Sequence, residues 1–269
     1  MEQHQAIARS CGCVGLHRSA YYRVPEHWTV RDAEVIAALA SLVEGRPSRG
    51  FWKCRKLLKR QGYPWNHKRI YRVYKRMNLH LRRPAKRRLP TRLRVPLYVP
   101  QLPDVVWSAD FMSDALACGR QFRTFNVLDD FNREILHIEI DTSITSQRLV
   151  RIFEKLREQH GLPQVLRTDN GPEFLGEIFT SWAKEAGMAI QYIQPGKPNQ
   201  NAYVERFNRT YREELLDQYL FARLEDVREA TYWWMLEYNE ERPHDSLGDR
   251  TPAEARQQIA GNSTYELSH

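Results

Sequence analysis

The chain has 269 residues, 42% of them apolar and 28% charged, with a formal net charge of +8; this balance describes a folded globular protein and excludes a disordered or collagenous one. No run approaches the roughly 18 to 20 apolar residues of a membrane span, and the polar start MEQHQAIARS lacks the apolar stretch of a secretory signal. A cytoplasmic protein with no membrane partner is therefore expected.

The charge is unevenly distributed. From Gly45 to Pro103 there is no Asp or Glu in 59 residues, against 19 Lys and Arg, and the remaining 210 residues hold 22 basic and 33 acidic groups. A folded segment tolerates that self-repulsion when a polyanion supplies the countercharge, and nucleic acid is the commonest one. The four cysteines, Cys11, Cys13, Cys54 and Cys118, show no CxxC spacing, which argues against a disulfide framework or a zinc ribbon. His4, Cys11, Cys13 and His17 could surround a metal, but small buried cysteines are the preferred reading.

Residues 5 to 23 read as a short helix, a turn at Val14-Gly15-Leu16 and a second short helix opening at His17-Arg18-Ser19, the grammar of a helix-turn-helix. A helix is expected from Val30 to Glu44 and another from Arg49 to Gln61, the latter with Phe51, Trp52, Leu57 and Leu58 apolar. After a Gly62-Tyr63-Pro64 break comes a helix capped by Asn66. There Ile70, Val73, Tyr74 and Met77 follow i, i+3, i+4, i+7, turning Lys68, Arg69, Arg72, Lys75 and Arg76 outward with no nearby acid to offset them. An apolar back and a basic front suit a helix that meets DNA. Residues 82 to 103, with seven Lys or Arg and five Pro, read as an extended basic linker whose Arg87 and Arg88 can track a phosphate backbone.

Beyond Asp104 the pattern changes. Strands are expected at Val105–Met112, Arg120–Leu128 and Glu134–Ile140, close enough in sequence to form an antiparallel meander. Then follow a helix Ser146–His160 stopped by Gly161, a strand Val165–Thr168, a helix Glu173–Ala186, a strand Ala189–Ile193, and helices Asn201–Tyr219 and Leu224–Asn239. The order implies an α/β fold, a mixed sheet of meander plus parallel strands flanked by helices. In the last helix Tyr232, Trp233, Trp234, Leu236 and Tyr238 are expected to be packing residues. The expected domains are a short helix-turn-helix segment 1–28, a helical DNA-binding domain 29–82, the linker 83–103, a catalytic core 104–258 and a tail 259–269.

Three carboxylates stand out. Asp110 interrupts the apolar first strand in VWSADFM, and a buried carboxylate needs positive or hydrogen-bonding company. Asp169, in TDNGPEF, lies at the carboxyl end of a strand, the edge where open α/β sheets hold ligands. Glu205 opens a helix in NAYVERFNRTYR, with 35 residues between it and Asp169. Oxygen ligands on three separate elements suit Mg²⁺, which keeps positions for water and phosphate. Arg212, seven residues beyond Glu205, returns to its face of the helix at roughly 100° per residue. Asp129 and Asp130 are rival acids but sit in ordinary turn chemistry. Glu173 reads as an early-helix acid stabilised by the helix dipole, and His244 as structural.

With GYPWNHKRIYRVYKRMNL, WSADF, TDNGPEF, PGKPNQNAYVERFN and YNEERPHDSLGDRTPAE in place, nearly the whole chain resembles the bacterial insertion-sequence transposases of the two-frame type, specifically their OrfB product. These belong to the retroviral-integrase-like class with an RNase H-like fold and an Asp, Asp, Glu site. GFWKC at 50–54 departs from the Gly-Tyr-Arg-Arg type of sequence more usual there. The resemblance implies that Asp110, Asp169 and Glu205 are catalytic metal ligands for two Mg²⁺ ions, with Mn²⁺ as a substitute. It implies that Arg212 takes the basic position behind the Glu, with Arg209 beside it and Lys197 in the approach to the helix as further DNA contacts. The implied partners are double-stranded DNA, the upstream-frame OrfA product or a fusion with it, and further copies of the chain on DNA. Two rivals share parts of this pattern: a catalytically decayed DNA-binding regulator and an RNase H-like nuclease without strand transfer.

Overall fold

The computed structural model describes residues 2–22, 26–81, 98–194 and 198–266. The chain divides into two compact units, Met1–Arg82 and Arg83–His269. No helix among the described residues is long and apolar enough to cross a membrane.

The first unit is helical: α1 Glu2–Cys13, α2 Arg18–Tyr22, α3 Trp28–Arg31, α4 Ala33–Glu44, α5 Phe51–Arg60 and α6 His67–Arg76. The α1–α2 turn holds Gly15 at φ +65°, and the α5–α6 turn holds Gly62 at φ +88°, a region open to glycine without cost. Asn66 caps α6, its side chain accepting from the Lys68 amide at 2.9 Å. The expected periodicity of α6 holds: Ile70, Val73 and Tyr74 join Val35, Leu39, Leu42, Cys54 and Leu58 in one core. Trp52 does not enter that core. It is 60% exposed, with the Arg55 guanidinium 5.6 Å from its ring centre.

The helix expected at Val30–Glu44 is broken at Asp32, for a reason that also changes the reading of α6. The Asp32 carboxylate is fully buried and accepts from Arg69 at 2.8 Å and from Arg72 at 3.0 Å, with Arg31 at 3.3 Å. An acid thirty-seven residues back in the chain therefore offsets two of the five α6 cations, contrary to the expectation of an uncompensated basic front. Arg76 lies over the Trp28 ring. Lys68 and Lys75 are exposed and carry no ion pair among the described residues. Of the cysteines, Cys11 and Cys54 are buried as expected, whereas Cys13 and Cys118 are exposed.

The second unit is built on β1 Val106–Ala115, β2 Gln121–Asp129, β3 Ile135–Asp141, β4 Val165–Thr168 and β5 Ala189–Tyr192. Their spatial order is β3-β2-β1-β4-β5: the first three form the antiparallel meander, and β4 and β5 add in parallel beside β1. Strand alternation sends side chains to two faces. Trp107, Ala109, Phe125 and Val127 pack under α7 Ser146–His160, α8 Pro172–Leu175 and α9 Glu177–Glu185. Phe122, Leu128, Ile135 and Ile140 pack under α10 Ala202–Glu214 and α11 Leu224–Glu240. Helix α7 has the expected bounds and stops at Gly161, φ +85°.

Three features of this unit differ from expectation. The helix expected at Glu173–Ala186 is split at Gly176, where an added Cβ would stand 2.4 Å from the Ser146 hydroxyl oxygen; the chain must bend there to let α7 in. Helix α11 buries Val227, Thr231, Trp234 and Tyr238, which leaves Tyr232 and Trp233 off that stripe and 53% and 60% exposed, so these two are not packing residues. The segment 252–266 is a helix, α12, reaching past the boundary expected at 258, and its Arg256 binds Asp104 at 2.9 Å and also contacts Glu134 and Asp129.

Removing the Asp32 carboxylate leaves three partly exposed guanidinium groups close together, a loss of roughly 1 to 2 kcal/mol after allowing for solvent screening. Asp32→Ala in the full chain should therefore speed amide hydrogen exchange in α4 and α6 by about tenfold, since 1.4 kcal/mol is a factor of ten, with α7 unchanged. Equal exchange in α6 would show that the pairing does not hold this unit together.

Candidate active site

The site forms where β1, the end of β4 and the start of α10 come together. Asp110 faces the α10 side of the sheet, opposite Asn126 in the β1–β2 register. Its Oδ1 accepts from the Phe111 amide at 2.9 Å and its Oδ2 from the Asn208 side-chain amide at 2.8 Å. Asp169 follows β4 directly, and its Oδ1 accepts from the Gly171 amide at 3.0 Å, the bond that closes the TDNGPEF corner. An added Cβ at Gly171 would press on that oxygen at 3.1 Å and on Glu173 at 3.2 Å. Glu205 is exposed in the first turn of α10.

Electrostatics tie the three together. Burial is the main cause that pushes Asp110 up from its ordinary 3.8 to about 7, and the negative charges of Asp169 and Glu205 push it further, against the pull of its two hydrogen-bond donors. Glu205 is also raised, by partial desolvation, with Arg209 acting the other way. The three are electrostatic neighbours, although no three His, Cys, Asp or Glu side chains among the described residues stand close enough to enclose an ion. The donor set fits a hard divalent cation: carboxylate oxygens on separate elements, one of them raised by burial and by like charges that a cation would offset.

The rival acids have structural partners. Asp130 is buried between Arg167, at 2.6 Å, and the Ser108 hydroxyl, so that β1, β2 and β4 share one internal ion pair. Asp129 accepts from the amides of Asp104 and Phe131, each at 2.8 Å. Glu173 is paired with Arg123 of β2, whose guanidinium lies 4.2 Å from the Phe111 ring centre, and α8 is a single four-residue turn. Glu173 thus stands in the first turn of a helix, as expected, and has an ion-pair partner besides. His244 takes part in a backbone bridge with Arg250 and stacks edgewise on Tyr238, as a structural residue does.

Arg212 does share a side of α10 with Glu205, but it is engaged within the chain. It donates to the Ser113 carbonyl at 2.8 Å and to Asp114 at 3.2 Å. Arg209 is exposed on the same helix. Lys197, Arg87 and Arg88 lie outside the described residues. Three asparagines that sequence reasoning did not single out belong to the site: Asn126, Asn201 and Asn208. Asn126 carried the same signal as Asp110, a polar residue inside an apolar strand, and Asn201 and Asn208 flank Glu205 by one helical turn on either side.

Residues 100–198 and 186–252 match the Integrase core domain, and residues 29–88 match an HTH-like domain. The chain is 39% identical over 249 residues to the uncharacterized 31.7 kDa protein of insertion element IS407 of Burkholderia multivorans, covering 91% of this chain and 88% of that protein. It is 36% identical over 256 residues to the uncharacterized 39.2 kDa protein of insertion element IS476 of Xanthomonas euvesicatoria, covering 94% and 74%. In fold it is similar to a chain in the structure of the simian T-cell lymphotropic virus intasome in complex with PP2A regulatory subunit B56 gamma, with a TM-score of 0.53 and 16% identity over 82% of this chain and 74% of that one. The sheet with its flanking helices is thus RNase H-like, an integrase core accompanied by an HTH-like unit. The chain belongs to the insertion-sequence transposases of the OrfB type.

Asp110, Asp129 and Asp130 all have folded-state values above the ordinary carboxylate value, at about 7, 7 and 6. Through these three groups the folded chain binds more protons than the unfolded one between about pH 4 and 7, and their contribution to the stability of the cation-free protein is lost as pH rises through that window. Asp110→Asn removes one share of this loss. Calorimetry in EDTA should show the variant more stable than wild type at pH 8, by roughly 1 to 3 kcal/mol, and much less so at pH 5, where Asp110 is already protonated. A variant less stable than wild type at pH 8 would contradict the assigned repulsion.

Proposed function

We propose that the chain catalyses metal-dependent cleavage and strand transfer of insertion-sequence ends, with Asp110, Asp169 and Glu205 as the cation ligands. The observation that carries this reading is geometric: Asn208 of α10, the helix of Glu205, donates to the half-buried Asp110 of β1, and β1 pairs with β4, which ends at Asp169, so that both other carboxylates bear on Asp110. Two Mg²⁺ ions, when bound, supply activation of water and then of a DNA 3′-hydroxyl for in-line attack on a phosphodiester, and neutralise charge on the leaving oxygen.

The protein's own contribution is placement. Asp110 offers an oxygen from the middle of a rigid sheet. The TDNGPEF corner holds Asp169 by one oxygen, and its Oδ2 has no partner among the described residues. Arg123 takes up the charge of Glu173, so that this fourth acid next to the corner does not compete for the cation. Arg209 supplies positive charge beside Glu205 where a phosphate would approach. Arg212, Lys197, Lys68, Arg69, Arg72, Lys75, Arg76, Arg87 and Arg88 complete the proposed DNA contacts. Among the α6 cations Lys68 and Lys75 are the strongest candidates, because Arg69 and Arg72 already serve Asp32. The remaining partners proposed are the upstream-frame OrfA product and at least one further copy of the chain, since two DNA ends must be held together.

The test is a strand-transfer assay on oligonucleotides from the flanking ends of the source element, comparing wild type with Asp169→Asn, each alone and with the upstream-frame product. Wild type should yield Mg²⁺-dependent joined products. Asp169→Asn should lose them by more than the roughly 10- to 100-fold that residues behind a metal ligand cost. Cleavage without joining would point to a nuclease, and tight DNA binding with no chemistry in any combination to a regulator.

A further inference from the structure

The face of the sheet under α10 carries more polar side chains than three carboxylates require. Asn126 of β2 is fully buried, and Asn208 of α10 is 8% exposed. The Asn126 side-chain amide donates to Asn208 Oδ1 at 2.7 Å, and the Asn208 amide donates in turn to Asp110 Oδ2 at 2.8 Å. The three form a chain in which each link fixes the next. Because Asn208 Oδ1 already accepts a hydrogen, its NH₂ end must face Asp110.

This arrangement leaves one buried atom unsatisfied. Asn126 Oδ1 has no partner among the described residues, as has Oδ1 of Asn201, whose amide reaches the Ala109 carbonyl at 3.3 Å. An orphaned buried acceptor costs about 1 to 3 kcal/mol. Turning both amides of the Asn126–Asn208 pair over would set Asn208 Oδ1 against Oδ2 of the ionised Asp110, the form that binds a cation, two acceptors in contact. The pair therefore stays in the orientation that presents a donor to the carboxylate, at the expense of an acceptor elsewhere. A core built for stability alone would place apolar residues at 126 and 208.

We infer that Asn208, locked by Asn126, is a positioning residue for the cation site. It fixes the Asp110 side chain by one oxygen, so that the lone pairs left on the carboxylate stay turned toward Asp169 and Glu205. The inference rests on the reading of these three carboxylates as cation ligands. It extends to Asn126, the cross-strand neighbour of Asp110, whose side-chain hydrogen bond goes to Asn208 and not to a carboxylate.

Mn²⁺ binding to the full chain without DNA, followed by electron paramagnetic resonance, tests it with a readout separate from catalysis. Asn208→Leu keeps the branched side-chain shape but removes the donor, and should weaken Mn²⁺ binding by roughly 10- to 100-fold. Asn126→Ala should weaken it in the same direction. The double variant should be no worse than Asn208→Leu alone, because two residues acting in series are not additive. If Asn208→Leu loses its cooperative melting transition, Asn126→Ala, one layer behind the carboxylate, decides the matter on the same readout. Unchanged Mn²⁺ affinity in a folded variant, with affinity lost in Asp110→Asn, would overturn the positioning role and leave the ligand reading intact. Unchanged affinity in Asp110→Asn would overturn both.

Discussion

The geometry of this site depends on how one helix is laid along one strand. Helix α10 is seated on the sheet by Val204, Phe207 and Tyr211, which enter the apolar cluster with Phe122, Leu128 and Trp234. That burial supplies most of the attachment but is non-directional. Direction comes from three polar ties to β1: Asn201 to the Ala109 carbonyl, Asn208 to Asp110, and Arg212 to Ser113 and Asp114. Each is worth only about 1 kcal/mol net. Together they fix the rotation and the register of α10, and Glu205, between the first two, has its place relative to Asp110 set by them.

The same arrangement explains why an acid is tolerated in the middle of a sheet. Asp110 is held by two donors against burial and two like charges, and its carboxyl ends near neutrality. The other buried acids of the unit are dealt with differently: Asp130 by a close guanidinium, Asp129 by backbone amides and Arg256. Asp110 alone among these three faces other carboxylates in place of a cationic partner, and that contrast separates a site from a scaffold. In the helical unit Asp32 is the scaffold counterpart, a buried acid met by three arginines.

Much of this was legible in the sequence because it is written locally. Period-two and period-3.6 patterns gave the strands and most helices, and Gly161 and Asn66 marked ends; the acidic trio proposed as cation ligands rests on a polar residue in an apolar strand, a strand-end corner and a helix start. What sequence reading missed depends on pairs far apart in the chain. Asp32 meets Arg69 and Arg72 across 37 and 40 residues, and Asn126 meets Asn208 across 82. The break at Gly176 lies against Ser146, and Arg256 of α12 is paired with Asp104, 152 residues back in the chain. Propensity carries no record of such partners. Tyr232 and Trp233 show the converse: both are expected to pack, but their helix turns them outward.

The most direct test of the account is a crystal structure of the chain soaked with Mn²⁺ and measured at the manganese absorption edge. The account predicts anomalous peaks within coordination distance of Asp110 and Asp169, with a further one involving Glu205 when DNA is bound, and Asn208 still donating to Asp110. Well-ordered carboxylates with no peak between Asp110 and Asp169, or manganese bound only at Asp129, Asp130 or Glu173, would contradict it.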